Sequence, residues 1–596
     1  MFKADRSELD YFELVKKAKA LSPSGGKPLL RVALLGDVST QHLVPLLRVL
    51  FSEHGFEAQI YEAGYDTVEV EALDPSSGLY AFNPHVICIL QSTQKLQSPF
   101  HEWPGDRGRF PATKAREIQG IWSAIRERSG ASIVQSTFVV PYERPFGNFD
   151  FAVNDTLHHA VLELNRELKL LARDGNGIFV NDIDYVAAWV GRRQFIDEKL
   201  WALSKSICAL EYLPDVAQNV VDIAVATQGR AIKCAVLDLD NTLWGGVVGD
   251  DGIEGIELGA SDDTGAFRNF QLYLKELGRR GIILTVCSKN EDAIARRVFR
   301  EHPGMVLREE DIAVFVANWE DKASNIRLIR EKLNIGFDSM VFLDDNPFER
   351  NLVRQLTPEV VVPELPEDPC LYVRAVSELN LFETASFSQV DSLRGALYLG
   401  QAKRDEERSR FGGLDDYLKS LETTADVERF TPKNLPRIAQ LIQRSNQFNL
   451  TTRRYSQADC EAMMQDGAHC HPFSISVRDR FGDFGLINIV ILRRSGATLE
   501  IDSFIMSCRV LQRGVEQLAM NKIFEHARRI GARHVVGHYI PTAKNNMVKN
   551  FYERFRFTQT DSSETEGASY RLEVDAYETR EVFIRDASAR YGGAAA

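Results

Sequence analysis

The chain has 596 residues, 44% of them hydrophobic and 26% charged, and a formal net charge of −13 at pH 7. That length is more than one hydrophobic core organises and predicts several domains, in the composition range of ordinary globular proteins. The acidic balance excludes a general nucleic-acid binder, whose phosphate contacts need a basic surface, and no apolar run is long enough to span a bilayer. The N-terminal stretch MFKADRSELDYFELVKKAKA reads as a charged amphipathic helix without a signal-peptide core, so a cytoplasmic location and no membrane partner are expected. The 8 cysteines are scattered and form no C-x-x-C pair, which fits reduced thiols rather than a zinc ribbon or a disulfide framework.

Residues 1–225 alternate strand-like runs (LLRVALLG, AQIYEAG, PHVICIL, ASIVQSTFVV, GIFVND) with helical stretches such as His42 to Glu53 and Ala152 to Ala172. This alternation predicts a parallel α/β sandwich of flavodoxin-like type. The turn Gly36-Asp37-Val38-Ser39-Thr40 resembles the G-D-S turn of SGNH-type hydrolases, with valine at the nucleophile position. The matching location for the family's D-x-x-H element, Asp197-Glu198-Lys199-Leu200-Trp201, has no histidine. An SGNH-like fold without the catalytic triad is expected, and Ser39 reads more simply as a helix N-cap.

The next domain, expected over residues 230–400, opens with AIKCAVLDLDNTLWGG. Its apolar, β-rich first half reads as a buried parallel strand, after which Asp238 and Asp240 point the same way because side chains alternate with period two. Two carboxylates held together repel unless a cation joins them, and Mg²⁺ is the hard, oxygen-seeking candidate. GIILTV ends in Cys287-Ser288-Lys289-Asn290, Trp319-Glu320-Asp321-Lys322-Ala323 opens a helix, and SMVFL ends in Asp344-Asp345-Asn346. Strand carboxyl ends of a parallel sheet converge on one edge, so these elements predict one site. A carboxylate there can attack phosphorus, a second can shuttle a proton, and a hydroxyl and an ammonium can hold phosphoryl oxygens.

In order, spacing and strand context these motifs resemble the haloacid dehalogenase (HAD) superfamily, with its Rossmannoid parallel sheet. The resemblance implies Asp238 as nucleophile, Asp240 as general acid/base, and Thr242, Ser288 and Lys322 as phosphate ligands. It also implies a Mg²⁺ site from Asp238, Asp240 through its carbonyl, Asp344 and Asp345. The glycine-rich TLWGGVVGDDG reads as a tight, mobile flap. WGGVVGDDG, VCSKN and FLDDN together resemble the FkbH-like branch, closely from about Lys233 to Pro366. That branch implies a glyceryltransferase/phosphatase that takes a glyceryl group from 1,3-bisphosphoglycerate, releases phosphate and loads the acyl group on the phosphopantetheine of an acyl carrier protein. In that reading Cys287 carries the acyl group as a thioester, although a small cysteine ending an apolar strand is equally a packing residue.

Residues 401–425 read as a charged helical connector, and 426–585 as an α+β domain. Its order of strand, helix, three-strand meander, helix (Arg513 to Arg529), strand and helix (Asn546 to Phe555) resembles the GNAT acyltransferase fold. Arg509-Val510-Leu511-Gln512-Arg513-Gly514 departs from the family's acyl-CoA loop at the central glycine, and Tyr552 falls where a general acid often sits. The resemblance implies carrier or CoA binding by Arg453, Arg509, Arg513, Gly514 and Tyr552, with Arg453, Arg454, Arg509 and Arg513 as a basic docking patch for an acidic carrier. His469-Cys470-His471 reads as loop, because three ligands in a row converge poorly on one ion. Residues 586–596 are expected to be a disordered tail. Two further readings stand beside acyl transfer: a phosphatase of a small phosphorylated metabolite with flanking specificity domains, and a scaffold binding an acyl or sugar partner.

Overall fold

The structure is a computed structural model and describes residues 10–21, 26–174, 177–259, 264–385, 413–445, 448–507, 513–542, 545–563 and 567–588, together with 400, 404, 411, 510 and 511. Residues 401–403, 405–410 and 412 of the expected 401–425 connector, Arg509, and residues 589–596 of the expected tail lie outside the described residues. The chain divides into two compact units, one formed by Met1–Ile232, Thr357–Pro366 and Arg374–Ala385, the other by Lys233–Leu356, Glu367–Val373 and Ser386–Ala596.

In the first unit, β1 (Leu29–Gly36), β2 (Glu57–Glu62), β3 (Val86–Leu90), β4 (Ser132–Ser136) and β5 (Ile178–Asn181) form a sheet in the order β2-β1-β3-β4-β5, every neighbour parallel. Period-two alternation divides β1 between two cores: Val32 and Leu34 pack on helices Leu43–Glu53 and Leu213–Thr227, while Ala33 and Leu35 pack on Phe110–Arg128 and Leu157–Asp174. Burial on both faces explains why the strands read as continuous apolar runs. The helix expected over Ala152–Ala172 begins later, at Leu157, because Gly147–Ala152 forms a separate 3-10 turn. Ser39 caps no helix: the first helix after β1 starts at Leu43 with His42 at its N-cap. Asp197 does cap one, its carboxylate accepting from Leu200 N at 2.8 Å.

In the second unit, β6 (Cys234–Leu237), β7 (Ile283–Ser288), β8 (Ile312–Ala317) and β9 (Met340–Leu343) form a parallel sheet in the order β8-β7-β6-β9. All residues of β6, β7 and β9 are buried, and β6 and β9 end together at the pair Leu237 and Leu343. The glycine-rich segment after β6 differs from a free flap. Trp244 is fully buried against Phe299, Gly245 bridges Glu257, and Val248–Asp251 forms a helical turn.

The same unit carries β10 (Thr424–Arg429), β11 (Phe473–Asp479), β12 (Gly482–Ser495), β13 (Thr498–Met506), β14 (His534–Tyr539), β15 (Thr558–Ser563), β16 (Gly567–Glu573) and β17 (Arg585–Asp586). Their order is β15-β16-β14-β13-β12-β11-β10-β17, antiparallel except for the pairs β13/β14 and β10/β17. β13 and β14 pair only from Thr498 to Ile501, then part. The helix over Gln457–Gln465, set by the Ser456/Asp459 capping box, and strands β15 to β17 are absent from the sequence reading. The helix expected over Asn546–Phe555 is two pieces, a 3-10 turn at Asn546–Val548 and a short helix at Phe551–Arg554.

Candidate active site

Asp238 follows β6 directly, its N–H donating to the carbonyl of Leu343 at 3.0 Å, so the end of the strand ladder fixes its position. Lys322 is the first residue of helix Lys322–Leu333, whose N-cap Asp321 accepts from Ser324 N at 2.8 Å. From there its ammonium reaches Asp238 Oδ2 at 2.8 Å and Asp344 Oδ2 at 2.5 Å. All three side chains are buried, and Asp238 Oδ1 is enclosed without a hydrogen-bond partner.

Carboxylate oxygens of Asp238, Asp344 and Asp345 lie within 4.8 Å of one another. Burial raises the Asp344 carboxyl to about 7, with repulsion from Asp238 adding to the rise and Lys322 opposing it. Asp345 is raised for the same first two reasons. On Lys322, burial favours the neutral amine, but Asp238 and Asp344 outweigh it and hold the ammonium charged. Three crowded carboxylates, one offering an unused buried oxygen, are the hard donor set a divalent cation such as Mg²⁺ takes.

The neighbouring groups hold this arrangement. Asp240 accepts from Trp244 Nε1 at 2.8 Å and Val248 N at 3.1 Å on one oxygen, and from Asn290 Nδ2 at 2.8 Å on the other. Its carboxylate is outside the group of three. Thr242 is fully buried, and its hydroxyl donates to Asp345 Oδ1 and accepts from Asp345 N, each at 3.2 Å, so it orients a candidate metal ligand. Ser288 is buried with its hydroxyl 3.3 Å from Asn290 Nδ2. Arg350 donates to the carbonyls of Asp344 at 2.8 Å and Asp345 at 2.6 Å. Lys289 pairs with buried Glu349 at 2.6 Å. Asn290 and Trp244 stand inside motifs legible in the sequence, whereas Glu349, Arg350 and the Tyr372 hydroxyl on the Asn241 carbonyl (2.9 Å) carry no local signal.

Cys287 has no exposed surface, and its thiol donates to the carbonyl of Lys322 at 3.6 Å. Burial pushes the thiol pKa well up; Lys322 opposes the rise and Asp238, Asp344 and Glu349 add to it. This is a packed neutral thiol, placed differently from the accessible thiolate that acyl transfer needs.

The residues expected to bind a carrier form no exposed basic patch among the described residues. Arg513 is buried over Phe484 with its guanidinium 3.4 Å from Asp479, which Arg404 also holds at 2.7 Å. Arg453 is ion-paired with buried Asp502, which Arg493 and Tyr455 also contact. Arg454 donates to the carbonyls of Ile442 and Ser445. Gly514, at φ +86°, is the N-cap of helix Val515–Arg529. Tyr552 is buried beside Tyr570, its hydroxyl enclosed, and burial pushes its pKa well up. Arg513 and Tyr552 lie in the interior, and Arg453 and Arg454, though partly open to solvent, are engaged by neighbours that no sequence window contains.

Residues 31–225 match the family described as FkbH, N-terminal domain. The crystal structure of the N-terminal part of the protein BF1531 from Bacteroides fragilis, containing a phosphatase domain complexed with Mg, is 40% identical to this chain. The match covers 63% of this chain and 100% of that one, with a TM-score of 0.60. The ribosomal-protein-S18-alanine N-acetyltransferase from Escherichia coli matches 25% of this chain and 94% of its own at 10% identity, and the GNAT domain of S. lividans PAT matches 25% and 89% at 20%. Their TM-scores, 0.20 and 0.21, are too small to bear on this chain. No curated protein matches the sequence. Among the described residues, no helix is long and apolar enough to cross a membrane.

Proposed function

Because this chain belongs to the family of BF1531 from Bacteroides fragilis and is an enzyme with a HAD-like phosphatase domain, we propose that it hydrolyses a small phosphorylated metabolite in a Mg²⁺-dependent reaction at Asp238. The observation that carries this reading is the enclosed, unpartnered Oδ1 of Asp238 beside Asp344 and Asp345, with Lys322 on its other oxygen. A carboxylate oxygen of Asp238 attacks phosphorus, the bond to the leaving oxygen breaks, and an aspartyl-phosphate forms. Asp240 gives the departing oxygen a proton and recovers one from the water that hydrolyses the acyl phosphate. Asn290, Trp244 and the Val248 amide orient Asp240 for both transfers. Lys322 and Ser288 hold phosphoryl oxygens, and Thr242 and Arg350 keep Asp345 and Asp344 in place. Mg²⁺, when bound by Asp238, Asp344 and Asp345, supplies neutralisation of the phosphoryl charge.

Transfer of a glyceryl group from 1,3-bisphosphoglycerate to an acyl carrier protein is a second reading, favoured by the FkbH match over residues 31–225. It places the flavodoxin-like N-terminal sheet and a GNAT-like C-terminal domain, whose β13 and β14 part after Ile501, in substrate or phosphopantetheine binding. Incubation with Mg²⁺, 1,3-bisphosphoglycerate and a holo carrier protein separates the two. Phosphate release with an unchanged carrier mass supports hydrolysis, and a glyceryl mass gain on the carrier supports transfer. If neither this substrate nor a panel of phosphorylated metabolites yields phosphate, both readings fail.

A further inference from the structure

We propose that the cavity between β10, the start of β11 and the C-terminal half of helix Val515–Arg529 binds a small amphipathic oxyanion, a carboxylate or phosphate ester on a short apolar body. The cavity has a volume of about 440 Å³, within the size range of small-molecule sites. Its lining combines Val427, Phe430, Met464, Pro472 and Phe473 with charged and polar groups that include Arg429, His471, His526 and Arg529. Apolar side chains with convergent polar groups are the usual construction of such a site.

The polar end points to an anion. The His471 and His526 rings lie 4.6 Å apart between centroids, and the Nε2 atom of each is shut off from solvent without a hydrogen-bond partner. Burial lowers the His526 pKa to about 4, and His471, Arg529, Arg429 and Arg494 lower it further. His471 is lowered by burial and by Arg429, Arg494 and His469, with Asp466 opposing. Guanidinium groups therefore stand near both rings, which disfavours a metal ion and favours an oxyanion accepting hydrogen bonds from guanidinium.

Charge matching along the rest of the lining leaves Arg429 available. Lys522 pairs with Glu525 at 2.9 Å and Asp586 at 2.8 Å, and Arg529 pairs with Glu525 at 2.9 Å. Among the described residues Arg429 enters no ion pair. Glu428, the remaining lining carboxylate, is exposed like Arg429.

The test is calorimetric titration of the full-length protein in Mg²⁺-free buffer near pH 6, with butyrate and butyl phosphate as probes and inorganic phosphate as the probe without an apolar body. This keeps the result separate from the phosphatase reading, on which the inference does not rest. Saturable binding of either four-carbon probe, tighter than inorganic phosphate, is expected, and the tighter of the two identifies the head group. Arg429→Glu, at an exposed position, should weaken that binding about tenfold or more and Arg429→Lys should largely keep it. His526→Gln should weaken it as well. Absence of saturable heat with both probes, or isotherms that Arg429→Glu and His526→Gln leave unchanged, overturns the proposal.

Discussion

Lys322 holds one oxygen of Asp238 and one of Asp344, so both carboxylates sit buried at a spacing that only a charge-matched site tolerates. Asp238→Asn removes the nucleophilic oxygen and is expected to lower phosphate release by ~10³-fold or more with an unchanged circular dichroism spectrum. Asn290→Ala removes one of the donors on Asp240 and should reduce kcat by about ten- to a hundredfold with a smaller change in KM, read from steady-state kinetics. A merely structural Asn290 would lower stability and leave the pH profile of kcat unmoved. Cys287→Ala should leave phosphate release within about twofold, because its buried neutral thiol reaches only a backbone carbonyl. Asp238, Lys322, Asp344 and Asp345 were legible from sequence because each stands at the end of a strand or the start of a helix. The hold of Asn290 and Trp244 on Asp240 was not, since it depends on two loops meeting after the sheet forms.

Parallel strands did most of the positioning at the next scale. β6, β7 and β9 are short apolar runs whose polar residues begin where the ladder stops, so the sheet edge gathers residues far apart in sequence. Gly245 faces Glu257 and Phe267, where an added Cβ would come within 2.9 Å, so glycine there permits close packing rather than a loose flap. Gly537 of β14 is tighter, with the Tyr552 ring 2.1 Å from the position of a Cβ. Gly537→Ala should cost about 1–3 kcal/mol or more in urea unfolding, because a buried ring between packed neighbours has little room to retreat. The burial of Tyr552 is not encoded in its motif, because a local motif gives the residue order but not the face on which the ring lies.

For the whole molecule, metal and protons are the expected controls on stability. Mg²⁺ binding to the folded carboxylate group should raise the melting temperature in a concentration-dependent way, and Asp344→Asn should abolish the shift in calorimetric scans. Burial lowers the pKa of His54 in the first unit and His526 in the second to about 4, so each contributes stability that is present above about 6.5 and lost as pH falls toward 4. Burial raises Asp37 to about 7; its stabilisation is present below its ordinary value of 3.8 and lost as pH rises through 7. Asp37→Asn should therefore narrow the loss of stability between pH 5 and pH 8 measured by urea denaturation, by up to about 3 kcal/mol. By itself the sequence determined the alternating α/β architecture and the convergence of Asp238, Lys322 and Asp344, since strand hydrophobicity and chain order suffice to place residues at a sheet edge. Only the tertiary structure decided that Cys287, Arg513 and Tyr552 lie in the interior and that His471 meets His526. Solvent access and charge pairing depend on neighbours distant in the chain, which no local pattern encodes.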